Sequence, residues 1–589
     1  MSMQKSTYRI ANRSGGLAVS AAALAVLLAM PGTAYAQSTV IERNLPPVSV
    51  TSGGEVRVDE AVSGSTDETP FGVDLAGIAL IGPDEDVSAH PAGGVSTRAI
   101  GQALRGGVES ALAPFIGRPL SPALITRIQT AVAGVWREAG YPFMSVTVPP
   151  QEVTHGVLTL RVVEFVAGEV SSDHASLPLH IRQQPGERIS AAQLSEDLAW
   201  LNRNPFREVG AVFAPGDQRG ASDIDLTVTK DKPFAVYGGW DNTGSPATGR
   251  DRFYTGGGLW IPALNDMTLS WRYTRSDELW DGKVFSLDPA RRGYLSFAGR
   301  IDLPTRPRQA LSIAPNFVTT NEFVAGTPFS FKNATFELPV LYRTAVSSIL
   351  PGHYWGDVYF GVEPKWVRRT TRFGGVDLAQ GEAGLINLVV GWSHILTDPS
   401  GRTSLDLRLI ANPGGIVAGN GAADWSAFTG GRVTDHTYVH AGFDITRWTQ
   451  LPQGFGWSST LTGQTAGQAL PDTERLSLGG HYAVRGFESN DVSVDAGLVW
   501  RNELRLPAVQ SLAGTSLSDT LSPFAFLDLG WGKDIASSTS ETLAGAGLGF
   551  DYGIGRNFNA GATAAVALTD AGTTRSGDWS LIANIRFTY

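Results

Sequence analysis

Apolar positions along this chain follow two rhythms. In the N-terminal part they recur at helical spacing between short alternating runs; after Lys230 the helical periods vanish, and alternating runs of about ten residues follow one another between turns to the last residue. In the first region a strand-like run (Val73, Leu75, Ile78, Leu80, Ile81) leads to a helical stretch near 97–115. A second helix is better marked: Ser121 is a good N-cap, Pro122 suits the first turn, and Leu124, Ile125, Ile128, Val132, Val135 and Trp136 share one face before Gly140 ends it. Alternating segments at 143–148 and 157–163 complete a strand, helix, helix, strand, strand unit. Residues 167–230 repeat the theme more briefly, with a predicted helix at 190–201 and strands at 208–214 and 223–229. The pattern predicts two small α+β modules, 71–165 and 166–231, ahead of an all-β region at 232–589.

In the all-β region, predicted strands start near 234, 251, 266, 291, 309, 329, 355, 384, 403, 435, 455, 492, 521, 541, 557 and 578. The total of about sixteen is even, which suits a closed bacterial barrel. The final run sets Trp579, Leu581, Ala583, Ile585, Phe587 and Tyr589 against Ser580, Ile582, Asn584, Arg586 and Thr588. One greasy and one mostly polar face is what a strand between lipid and an aqueous lumen needs. The predicted fold is therefore mainly β, a sixteen-stranded transmembrane β-barrel preceded by two α+β modules. A soluble sandwich or propeller is the alternative, although it would bury its apolar face and has no use for an aromatic chain end.

Two late strands carry the candidate site. From Val492 onward the even positions (Val494, Ala496, Leu498, Trp500, Leu504, Leu506) are apolar except Asn502, while Ser493, Asp495, Gly497, Arg501, Glu503 and Arg505 take the other face. Over 523–532, Ala525, Leu527, Leu529 and Trp531 point one way, so Phe524, Phe526, Asp528 and Gly530 point into the lumen. A carboxylate there needs a partner. The long gap at 468–491, between the eleventh and twelfth predicted strands, offers one: in His481-Tyr482-Ala483-Val484-Arg485-Gly486-Phe487 a lone arginine rides on a glycine turn that can be projected inward. Glu503 shares the inward parity and is a candidate second partner. The bland alternative is that Val484 to Phe487 form an ordinary turn and Asp528 is one of many charges facing lumen water.

Val484-Arg485-Gly486-Phe487, followed by Phe526-Leu527-Asp528-Leu529-Gly530, resembles the paired motif of the POTRA-bearing outer-membrane transporters. That superfamily includes the transporter half of two-partner (type V) secretion systems, the haemolysin/haemagglutinin secretion-activation type. The resemblance implies that Arg485 caps a long loop folded back into the barrel, between the eleventh and twelfth strands, with Asp528 as its ion-pair partner on the inner wall. Gly140-Tyr141, Pro150-Gln151 and residues 156–164 resemble the first POTRA domain of those transporters. Phe165 stands where that pattern usually has glycine, which leaves the module junction open by several residues. Two-partner transporters often begin with an amphipathic plug helix, and residues 37–70 show no such period. The terminal aromatic resembles the signal by which barrel-assembly machinery recognises its clients.

Composition and charge narrow the field. The 69 glycines and 17% charged residues of this 589-residue chain lean toward strands and turns, and a formal net charge of -10 argues against a nucleic-acid partner. The chain has no cysteine, hence no disulfide and no thiolate chemistry. Lys5, Arg9 and Arg13 precede an apolar run at 17–30 and then Ala34-Tyr35-Ala36, the layout of a secretory signal peptide over 1–36 with Gln37 first in the mature chain. A membrane anchor is the alternative, though the run is short of the roughly 20 residues that span a bilayer. Residues 37–70, rich in Ser, Thr, Gly, Pro and acids, read as a flexible linker. His436 and His440 share a face of a predicted strand but lack the Glu of a zinc motif and a third ligand. Gly545-Ala546-Gly547-Leu548-Gly549 alternates as a strand with no helix after it, so its glycines are expected to leave room for the inserted loop rather than to cradle a phosphate. With no nucleophile elbow or Walker loop either, the expectation is a non-enzyme without cofactor or metal.

The resemblance then implies an outer-membrane transporter with periplasmic POTRA domains that bind an unfolded secreted partner, and a pore that passes it outward without nucleotide hydrolysis. The implied partners are a large passenger (a β-helical adhesin, haemolysin or toxin), outer-membrane lipid, and the barrel-assembly machinery during biogenesis. A barrel-assembly or insertion factor shares both motifs and is the alternative; two POTRA domains rather than three or more favour secretion. A plain diffusion porin has no use for the modules at 71–231.

Overall fold

The computed structural model describes residues 65–87, 93–141, 143–218, 220–230, 232–276, 293–323, 327–489, 491–512 and 518–589. The predicted signal peptide, its cleavage site and all of the linker before residue 65, where a plug helix would lie, are outside the described residues. Among the described residues no helix is long and apolar enough to cross a membrane. The chain divides into two compact units at Asp231/Lys232.

The N-terminal unit holds two sheets. In the first, strands β1 (Gly77–Ile81), β2 (Gly94–Ser96), β3 (Met144–Thr147) and β4 (Val157–Glu164) run in the order β2-β1-β4-β3. Two helices cover it, α1 (Gln102–Leu112) and α2 (Pro122–Glu138). The Ser121 side chain accepts from Leu124 N at 3.2 Å and so caps α2, while Leu124, Ile128, Val132 and Trp136 form its buried stripe. The edge strand β2 is too short to show a period. Val73 and Leu75 precede β1 rather than belonging to it: Asp74 there makes only an isolated bridge to Pro119.

The second sheet joins β5 (Val166–Ser172), β6 (Arg207–Pro215) and β7 (Ala221–Lys230) in the order β5-β7-β6, with α3 (Ala191–Leu201) packed on it. Phe165 is the joint between the sheets. Its N–H donates to Phe143 O at 3.1 Å, the next N–H, of Val166, donates to Gly220 O at 3.0 Å, and the Phe165 side chain packs with the second module's core. The backbone of Gly186 and Glu187 bonds to Ala167 beside β5. β6 has β7 as its only ladder partner among the described residues.

The C-terminal unit is a closed barrel. Its first eight strands are Phe234–Asp241, Arg252–Ile261, Met267–Arg275, Gly293–Arg306, Gln309–Ile313 continued by Asn316–Phe323, Phe329–Glu337 continued by Val340–Ala345, Asp357–Phe373 and Val376–Asp398. The other eight are Gly401–Asn412, Tyr438–Gln450, Gly456–Ala466, Ala496–Arg505, Asp519–Asp534, Thr539–Ile554, Phe558–Ala567 and Trp579–Thr588, the last pairing with the first from Asn584↔Asp241 to Thr588↔Tyr237. The fifth and sixth strands are each interrupted near a proline, Pro315 and Pro339, which have no amide hydrogen to give the ladder. Leu527, Leu529 and Trp531 are exposed on the outer face while Phe524, Phe526 and Asp528 are buried inward, so the alternation of this strand is the alternation of lipid and lumen.

Three strand starts differ from the sequence reading. The eighth begins at Val376 rather than near 384, because its first residues continue the ladder with the seventh although their exposed side chains give no apolar period. The twelfth begins at Ala496 rather than near 492: Ser493–Val494 pairs instead with Leu476–Ser477 in a two-stranded ladder, which turns Val492 and Val494 from lipid-facing residues into buried ones. The tenth begins at Tyr438, so His436 precedes it and shares no strand face with His440.

Candidate functional site

Between the eleventh and twelfth strands, residues 467–489 and 491–495 fold into the lumen, where their apolar side chains leave water. Leu476, Leu478, Val484, Phe487, Val492 and Val494 are buried in one cluster with Val499, Leu543 and Ala567 of the twelfth, fourteenth and fifteenth strands. At its tip Val484 N donates to Leu478 O at 2.9 Å and Gly480 N to Val484 O at 3.1 Å. Gly486 follows at φ +101°, a conformation that side chains other than glycine's rarely adopt.

This turn presents Arg485 to the inner wall. Its Nε donates to Asp528 Oδ2 at 2.6 Å, its Nη2 to Asp528 Oδ1 at 2.8 Å, and its backbone N–H to Asp528 Oδ2 at 3.2 Å. Nη1 donates to Glu503 Oε1 at 2.6 Å, and the guanidinium carbon lies 3.7 Å from the centre of the Phe526 ring. The fork, the second carboxylate and the ring face together use what distinguishes arginine from lysine. Arg485 is 2% exposed and Asp528 0%. Glu503 is shared, its other oxygen accepting from Arg505 Nη2 at 3.0 Å. The structure thus brings Arg485, Asp528, Glu503 and Phe526 into contact, with Val484 and Phe487 in the apolar cluster behind them.

Glycines on the wall make the room. A Cβ on Gly530 would fall 2.8 Å from Val484 Cγ2, and one on Gly545 only 1.9 Å from Arg485 O. Gly547 and Gly549 act one step removed: they face the rings of Phe526 and Phe524, the platform under Arg485, rather than the loop itself.

Other tethers carry no period that sequence reasoning could use. Glu488 accepts from Arg250 Nη2 at 2.6 Å. Asp491 accepts from Thr573 N at 2.8 Å and Thr574 N at 3.2 Å. Asp495, at the loop's end, accepts from Leu470 N at 2.9 Å and Ile535 N at 2.8 Å. A further helix, α4 (Ala422–Thr429), lies in the connection between the ninth and tenth strands. Its Trp425 is buried against Val367 and Leu385 and donates from Nε1 to Gly384 O at 3.0 Å.

Comparison with known proteins agrees with this architecture. Residues 359–552 match the family of haemolysin secretion/activation proteins ShlB/FhaC/HecB, and residues 95–164 match the POTRA domain of ShlB type. The chain is 25% identical over 462 residues to the outer membrane transporter CdiB-2 of Burkholderia pseudomallei, covering 74% of this chain and 73% of that one. It is 22% identical over 420 residues to the CdiB transporter of Dickeya dadantii, covering 68% and 69%. The solved structure of CdiB from Escherichia coli shares the fold, with a TM-score of 0.66 at 17% identity over 91% of this chain and 94% of that one. The family matches and the relatives together support a two-partner secretion outer-membrane transporter of the POTRA-barrel superfamily. The chain is therefore an outer-membrane protein with its POTRA region in the periplasm.

Proposed function

We propose that this transporter binds an unfolded secreted partner through its periplasmic modules and passes it outward through the barrel, with no nucleotide hydrolysed. The observation that carries the reading is the loop at 467–495, seated in the lumen by the buried Arg485–Asp528–Glu503 contact. A pore filled by a tethered loop suits a transporter that admits cargo on demand better than a passage for free diffusion. The second small sheet is a POTRA-type module, and β6 is its available edge. An edge strand adds an extended peptide through main-chain bonds and asks little of its sequence. The relatives are named as transporters, CdiB-2 and the hemolysin transporter HpmB among them, and the cargo we propose for this chain is a large exported protein. Export would be drawn by capture at the edge and by folding outside.

The test is co-expression with a large exported protein whose gene adjoins that of the transporter, once genome sequence identifies one. Appearance of that protein in the medium only when the transporter is present supports the reading. Its retention in the periplasm, with insertion of other barrels impaired when the transporter is deleted, would favour the assembly-factor alternative instead.

A further inference from the structure

Eleven residues before Arg485 the same loop is held a second time, on other strands. Glu474 closes a single helical turn, Asp472–Glu474. Its Oε1 accepts from Lys365 Nζ at 2.5 Å, and its Oε2 accepts from Asn387 Nδ2 at 3.0 Å. Lys365 Nζ also lies 3.0 Å from Glu337 Oε1. Tyr438 OH braces Asn387 Oδ1 at 2.7 Å, and Gln464 Nε2 donates to the Glu474 carbonyl at 2.9 Å. Lys365, Glu337, Asn387 and Glu474 are all buried. These partners belong to the sixth, seventh, eighth, tenth and eleventh strands, whereas Arg485 is held by the twelfth and thirteenth.

We propose that Glu474 is a second positioning residue for transport: its seat on Lys365 and Asn387 holds the first limb of the loop independently of the Arg485 seat, so that the lumen clears only when both let go. The proposal rests on the reading that the loop governs passage. A buried, charge-assisted contact suits this role because it is strong only at close range, so the limb is either seated or free. Lys365 keeps Glu337 when Glu474 leaves, so the wall retains a paired charge whether the loop is seated or not. The seat can therefore empty without leaving the lysine alone.

The chain has no cysteine, so a single Thr473→Cys substitution reports on the limb. Thr473 is buried, and its thiol replacement should react slowly with a membrane-impermeant maleimide in the full chain assembled in outer membrane. Four backgrounds are compared: Thr473→Cys alone, with Glu474→Gln, with Arg485→Ala, and with both. Glu474→Gln keeps the shape and leaves Lys365 paired with Glu337, so assembly, read by heat-modifiable migration, is preserved. Labelling should rise about tenfold with Glu474→Gln, little with Arg485→Ala, and most in the double variant. Secretion should fall with Glu474→Gln. Unchanged labelling with Glu474→Gln, or an equal rise with Arg485→Ala alone, overturns the independent seat. Faster labelling with normal secretion overturns its role in transport. If the parent chain secretes nothing, the transport reading fails on its own while the labelling still decides the seat. Lys365→Met approaches the same contact from the wall; should it not assemble, Glu474→Gln decides alone.

Discussion

Gly545 stands directly beneath Arg485: a Cβ built on it would fall 1.9 Å from the arginine's carbonyl oxygen. No rotamer relieves a clash with backbone, so Gly545→Ala must lift the loop tip off the wall. The expected result is a barrel that assembles and migrates normally but secretes poorly. Gly553 of the same strand is the control, since its Cβ would meet nothing closer than 3.5 Å, and Gly553→Ala should secrete as the parent does. Equal secretion by both variants would remove the tip from the mechanism.

The N-terminus is tested directly by sequencing the mature protein from outer-membrane fractions. Lys5, Arg9 and Arg13 ahead of a short apolar run and Ala34-Tyr35-Ala36 set the expected first residue near Gln37. A mature chain that retains residues 17–30 would make that run an anchor.

Passenger capture is assigned to the second module. Deleting 167–230 removes most of its core, including Leu194, Leu198, Ile224 and Leu226, and touches no barrel strand. The shortened chain should still give a heat-modifiable barrel, with the partner held in the periplasm. Undiminished secretion would place capture elsewhere.

What could be read from sequence follows from where a period exists. In the thirteenth strand a two-residue alternation fixes which face each side chain takes, so Asp528 was already an inward charge in need of a partner, and Glu503 followed by the same parity. The loop has no period. Glu474, Glu488 and Asp491 look alike in sequence, and their partners Lys365, Arg250 and Thr573 are distant along the chain, so only the folded loop could pair them. Alternation also misleads where it continues by chance: Val492 and Val494 extend the rhythm of the twelfth strand, yet they bury in the loop's own ladder. The short edge β2 was missed because three residues carry no pattern, and the junction, bounded at 165/166 in sequence but open by several residues, is fixed at Phe165 by packing.

The Arg485 contact yields the last prediction. Arg485 gives Asp528 two parallel side-chain bonds, gives Glu503 a third, and lies over Phe526. With both partners of the main pair almost fully buried, removing Arg485 strands Asp528 at a cost of about 3–5 kcal/mol, and removing Asp528 leaves Arg485 with Glu503 alone. Arg485→Ala and Asp528→Ala should each abolish or strongly reduce secretion while the barrel still assembles, because the strand ladders do not depend on the loop tip. Arg485→Lys should rescue only in part: an ammonium lacks the planar fork that satisfies both Asp528 oxygens and reaches Glu503 as well. Glu503→Gln should be milder than Asp528→Ala, since the bidentate pair survives it. In a double-mutant cycle on secretion rate, the combined Arg485→Ala, Asp528→Ala variant should be little worse than either single one, as expected when both losses break the same contact. Losses that simply add would mean that the two residues act separately, and that the contact seen between them does not hold the loop during transport.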